Sequence, residues 1–351
     1  MSKLVDSQHG TRMYYEDRSV RHQRLLQLFD PSHGRGLEIG PLFDPVVRKS
    51  DGDVQYVDVH DVEKLREYYA GHDAVPVDAI VAPDFVIIGP DGARSLPEAV
   101  SETAAFSWVV ASHVIEHVPD VIGWLGEVAE VLVDGGRLIL VVPDRRCCFD
   151  ALRTPTTVGE MLLARHQRDT RPSVRAVYDH VSRAVKIDSA HAWAGHQPSD
   201  DDRIHTHDYI VDQLRRSTES DEYIDCHVWL FTPKEFLDQM SELGSLDLID
   251  FVVEAIEPTP KDELEFYVVL RRIPRSADEQ ERARARTESV ATTVDRFGHV
   301  TEEPPEPELR PQVTRMAVSA KEARLIERKR AVLNALRGAA WRARKALRPF
   351  A

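Results

Sequence analysis

Six histidines and a few acids carry the residue types that could do chemistry here. Ser112-His113-Val114-Ile115-Glu116-His117 sets two imidazoles around one carboxylate, and His180, His205, His207 and His227 follow downstream. Imidazole titrates near neutrality, so each ring is a candidate to take a proton from a hydroxyl nucleophile. His227, His180 and His207 are the expected catalytic bases. His117 reads better as a hydrogen-bonder at the start of a helix, and the His205/His207 pair suits a solvated loop equally well. Upstream, Glu38-Ile39-Gly40 closes one apolar run and Asp58 closes the next. A glycine at such an exit lets backbone pass close to a ligand, and an acid ending the second strand accepts hydrogen bonds from ribose hydroxyls. The charge of that acid disfavours a 2′-phosphate. Positions 41–43 are Pro, Leu and Phe, so the glycine-rich cradle for a pyrophosphate is missing. The pattern fits a ligand with a ribose and no phosphate, and argues against a dinucleotide-dependent oxidoreductase.

Metal ligands of the right types exist in His191, His196, His205, His207 and the acids Asp200, Asp201 and Asp202. They lack the i, i+4 spacing or the paired cysteines of zinc sites, so no metal is expected. Cys147 and Cys148 are read as packing residues, since nothing beside them marks a lowered pKa.

These groups need a frame. Gly36–Gly40, Asp53–Asp58, Val77–Val81, Phe106–Ala111 and Arg137–Val142 read as buried strands. Helices are expected over 17–29, 62–70 and 120–132, the last with Val121, Leu125, Val128 and Leu132 on one face. Thr232-Pro233-Lys234-Glu235 is a capping box that opens another. Residues 246–256 and 264–271 form a strand pair. Between the fifth strand and the capping-box helix, 145–226 is a polar, irregular insertion expected as a lid over the mouth of the sheet. In it, Asp179-His180, Trp193 and Tyr209 could touch a sugar or could be core of the lid.

The order predicts an α/β, Rossmann-like sheet of mostly parallel strands with an antiparallel C-terminal hairpin. One domain over 1–273 is followed by a flexible Glu/Arg/Thr/Pro linker over 274–317 and a basic amphipathic helix over 318–351. From Val318 onward ten Lys/Arg face two Glu; the rest of the chain holds 35 basic and 57 acidic residues, a net charge of −22. So acidic a body excludes general nucleic-acid binding. The basic tail suits a peripheral membrane face, an acidic partner, or the chain's own acidic surface. Three cysteines, no membrane-length apolar run and no apolar signal segment after Met1 lead to the expectation of a cytoplasmic protein.

The segments LEIGPLFDP (37–45), VQYVDVHD (54–61), FSWVVASHVIEHVPDVIGWLGEVAEVLVDGGRLILVVPDRR (106–146) and HVWLFTPKEFLDQM (227–240) resemble class I S-adenosylmethionine-dependent methyltransferases. The resemblance is closest to a bacterial branch associated with cell-surface polysaccharide biosynthesis, and it spans about residues 20–273. It implies a seven-stranded sheet ending in an antiparallel hairpin. It also implies that Glu38, Ile39 and Gly40 lie on the methionine side of S-adenosyl-L-methionine, that Asp58 binds the ribose, and that Ser112 and His113 line the pocket. The family prefers two or three glycines in the first loop; this chain keeps only Gly40. The expected activity is methyl transfer, at oxygen, to a small or carbohydrate-like acceptor. The alternative is an inactive methyltransferase-like scaffold in a surface-polysaccharide assembly.

Overall fold

A computed structural model describes residues 19–72, 74–89, 92–100, 105–297 and 302–308. Its centre is a seven-stranded sheet built from β1 (Gly36–Ile39), β2 (Val54–Asp58), β3 (Phe85–Val86), β4 (Phe106–Ser112), β5 (Leu132–Pro143), β6 (Phe251–Glu257) and β7 (Glu265–Arg272). The strand order is β3-β2-β1-β4-β5-β7-β6. β1 to β5 run parallel, and β7 pairs antiparallel with both neighbours. The expected fold class, a Rossmann-like sheet with an antiparallel C-terminal pair, is what the chain forms.

The continuous apolar runs follow from burial on both faces. In β4, Val109 and Ala111 face one core with Leu37, Leu138 and Leu140, against α4 (Val121–Val131) and α9 (Pro233–Ser245). Alternate residues Trp108 and Val110 face the other with Tyr56, Ile139 and Tyr267, against Leu25 and Leu26 of α1 (Val20–Leu28). Period-two alternation in strands covered on both sides leaves no polar face. Asp61 caps α2 (Val62–Tyr69), and a short α3 (Leu96–Val100) precedes β4.

Three expectations are corrected. Val77–Val81 is not a strand: 77–79 is a 3-10 turn, and only Ile80 of the run is buried. The third strand is Phe85–Val86, aligned by Asp84, whose carboxylate accepts the Tyr56 N–H at 2.8 Å while its own N–H donates to the Tyr56 carbonyl. The insertion is helical rather than irregular, with α5 (Val158–Gln167), α6 (Val174–Arg183), α7 (Ser189–Trp193) and α8 (His207–Glu219). Each helix is opened by a side-chain cap, from Thr157, Ser173, Asp188 and Thr206 respectively. Lastly, the linker contains α10 (Glu279–Phe297), pinned to the sheet edge by Arg282–Asp250 at 2.6 Å, Arg286–Asp247 at 2.7 Å and a Ser289 hydroxyl bonded to the Val253 carbonyl. Helix-forming Glu, Arg and Ala outweigh the low hydrophobicity that suggested disorder. Farther on, Glu303 and Pro304 bind the Arg146 guanidinium, each at 3.2 Å.

Among the described residues no helix is long and apolar enough to cross a membrane. The basic segment 318–351 lies outside the described residues.

Candidate active site

Strand order reverses between β1 and β4, so their carboxyl ends open a crevice, the usual ligand position in sheets of this kind. Gly40 leaves β1 at φ +67°, and a Cβ built on it would stand 3.5 Å from Val114 just past β4. The left-handed turn, not crowding, is what calls for glycine there. Glu38 is buried, and its two carboxylate oxygens accept the N–H groups of Val46 and Val47 at 2.7 and 2.9 Å. The Tyr56 hydroxyl donates to the Val47 carbonyl and the Val81 N–H to the Leu42 carbonyl, each at 2.8 Å. The glycine-poor loop is thus held by a buried acid beneath it, and Glu38 positions that loop. Ile39 packs against the core between Val57 and Ala111.

Asp58 ends β2 beside the crevice. Its Oδ1 accepts the Val59 N–H at 2.7 Å, and burial raises its pKa to about 6. Tyr69 on α2 is close enough to Asp58 and Asp225 that their negative charges add to burial in raising its own pKa. On the β4 side, Ser112 pairs with Val141, and His113 adopts φ +55° while its N–H continues the ladder to the Val141 carbonyl. The His113 ring lies 2.7 Å from Glu265 through Nε2 and 3.4 Å from Glu116 through Nδ1. Burial opposes its charge, but the two carboxylates outweigh it and raise its pKa to about 9.

Next to this clamp the inserted segment brings a second set of groups. His227 is buried and its Nδ1 lies 2.6 Å from Asp150 Oδ2; Arg153 holds Asp150 Oδ1 at 2.7 Å and the His227 carbonyl at 2.9 Å. Burial would favour a neutral Asp150, but the adjacent His227 and Arg153 keep its pKa far below the usual range. His117 meets the His227 ring edge-on at 4.7 Å, and its Nδ1 lies 2.8 Å from Asp225. The hydrogen bond and charge of Asp225 overcome burial and raise the His117 pKa. His180 stands 6.0 Å from His227, ring to ring; burial pushes its pKa down to about 3, with the charge of Arg153 adding to that effect against Asp150.

The structure therefore brings His227 and His180 together and leaves His207 out. His207 is the exposed first residue of α8. The charge of its neighbour His205, stacked on Tyr209 at 4.5 Å, is felt at His180 instead. A helix start turns successive side chains about 100° apart, so only one of two histidines spaced by two can face inward. His117 is not a helix-start hydrogen-bonder; Asp120 takes that place for α4. Sequence reasoning missed Asp150, Arg153, Asp225 and Glu265. Only the proximity of Asp225 to His227 along the chain offered a signal. An apolar hollow lined by Leu237, Met240, Ile249, Phe251 and Val253 lies toward the amino ends of the parallel strands, away from this crevice.

A family model described as a methyltransferase domain matches residues 14–244. The chain belongs to the methyltransferase family. No curated protein matches it. Among solved structures, an S-adenosylmethionine-dependent methyltransferase of Mesorhizobium loti is 15% identical with a TM-score of 0.36, covering 73% of this chain and 99% of its own. One from Methanosarcina mazei is 12% identical with a TM-score of 0.35, covering 72% and 97%.

Proposed function

We propose that this methyltransferase moves the methyl group of S-adenosyl-L-methionine to a hydroxyl oxygen of a small or carbohydrate-like acceptor. The residues at the crevice suit that donor. The acid Asp58 ends β2 beside the crevice with no cationic partner among the described side chains, which supports a role in accepting hydrogen bonds from ribose hydroxyls, and the left-handed turn at Gly40 is next to it in the sheet. The sulfonium supplies an activated methyl group whose in-line displacement mainly needs alignment.

The carrying observation is the buried Arg153–Asp150–His227 chain on the acceptor side. Asp150 fixes the His227 ring with Nδ1–H donated, which leaves Nε2 as the atom that takes the acceptor's proton. His180, with its pKa near 3, is too weak a base for that step and lines the site as a neutral ring.

Calorimetric titration with S-adenosylhomocysteine tests the donor half, and transfer of a labelled methyl group to a panel of hydroxylated acceptors tests the other. Absence of binding overturns the whole reading. Binding without turnover on any acceptor favours an inactive scaffold.

A further inference from the structure

We propose that Glu116, His117 and His227 form a binding site for one divalent first-row transition cation. One ligand atom from each residue lies within 4.8 Å of the other two. Donors bound at about 2.1 Å to one ion stand roughly 3–3.5 Å apart, so modest side-chain rotation closes the set. Glu116 is 0% exposed, yet neither carboxylate oxygen has a hydrogen-bond partner. The nearest cationic nitrogens, His113 Nδ1 at 3.4 Å and His117 Nε2 at 3.9 Å, lie beyond good hydrogen-bond geometry. The charged His113 balances part of the Glu116 charge, and the oxygens, without a well-formed hydrogen bond, remain open to an ion.

The two imidazoles are also oriented from behind. Asp225 takes His117 Nδ1 at 2.8 Å and Asp150 takes His227 Nδ1 at 2.6 Å. Each ring is left with Nε2, and a carboxylate on the far nitrogen is how metal-ligating histidines are held and made more basic. Two imidazoles and one carboxylate suit zinc, manganese, cobalt or iron, and three protein ligands leave coordination positions open. His117, whose side chain is 30% exposed, marks the open side. The backbone adds to the fit, since the Glu116 carbonyl accepts the N–H groups of Val228 and Trp229 and so ties the two ligand segments together.

Nε2 of His227 cannot hold a cation and a proton at once. With the ion bound, His227 would be a ligand instead of the base proposed above. The ion would lower the pKa of a coordinated acceptor hydroxyl, whose proton would pass to water on the open His117 side, so this role of the ion rests on the methyl-transfer reading and replaces only its base. The binding itself does not depend on methyl transfer.

The test is titration of the full chain, stripped by chelation, with Co²⁺ alone, followed by visible absorption and calorimetry. One equivalent should bind with the d–d bands of a low-coordinate site, and Zn²⁺ should displace it. Glu116→Gln and His117→Ala should each weaken binding at least ~100-fold, and Asp225→Asn ~10–100-fold. His191→Ala, on an exposed ring elsewhere, should leave it unchanged. Far-UV circular dichroism confirms folding of each variant. No Co²⁺ or Zn²⁺ binding by the wild type, or equal binding by Glu116→Gln and His117→Ala, overturns the site. S-adenosylhomocysteine titrated into the same preparations separates the two readings: a chain that binds it but takes up no Co²⁺ or Zn²⁺ sinks only the cation site, and one that takes up metal but not S-adenosylhomocysteine sinks only the donor assignment.

Discussion

Glu38, Gly40 and Asp58, which the proposed function assigns to the donor side of the crevice, come from two neighbouring parallel strands and the turns that leave them. Glu116, Asp150, His180, Asp225 and His227, which the same proposal assigns to the acceptor side, come from a loop after β4 and from the two ends and the middle of the inserted segment. The donor side relies on backbone geometry and two carboxylates, Glu38 beneath the first loop and Asp58 at a strand end. Side-chain pairs that bridge distant segments, such as His117–Asp225 and Asp150–His227, hold the acceptor side. The donor side should therefore tolerate loss of one group with reduced affinity, while loss of one acceptor-side group should disable or unfold the site.

The largest expected effect follows from that contrast. His227→Ala should lower kcat by about 10²–10⁴-fold while S-adenosylhomocysteine affinity stays near wild type, as steady-state kinetics and calorimetry would show. A comparable loss of cofactor affinity would erase the division between the halves. Arg153→Ala leaves Asp150 buried without its guanidinium and should cost about 3–5 kcal/mol of stability, read by denaturant unfolding.

On the donor side the effects should be smaller. Asp58→Ala should weaken S-adenosylhomocysteine by roughly 10–100-fold, as for lost hydrogen bonds to a charged group, with the fold intact. The Asp58 pKa is raised to about 6 in the folded chain, and the ligand prefers the carboxylate. Affinity should hold above pH 6 and fall by up to about tenfold per unit below it. Asp58→Asn should remove that dependence. A wild-type affinity that does not change between pH 7 and 5 would show that Asp58 does not meet the ligand. The smallest effect is expected at His207, exposed on α8. His207→Ala should leave kcat and melting temperature unchanged, and a large loss would redraw the acceptor side.

The sequence alone determined the parallel strands, because segments buried on both faces must be apolar throughout, as in Val109–Ala111 and Leu138–Val142. It also marked Gly40 and Asp58, whose roles depend on a strand end a few residues away. It failed where local signals mislead: apolar 77–81 outside the sheet, and Glu/Arg-rich 279–297 inside a helix. Tertiary structure alone decided which histidines come together. His227 is a held ring because Asp150 reaches its Nδ1 from the other end of the insertion, and Glu116 is a buried carboxylate beside His113 and His117, its carbonyl bonded to Val228 and Trp229. Neither fact is carried by spacing, since burial and pairing between segments far apart in the chain exist only once the chain has folded.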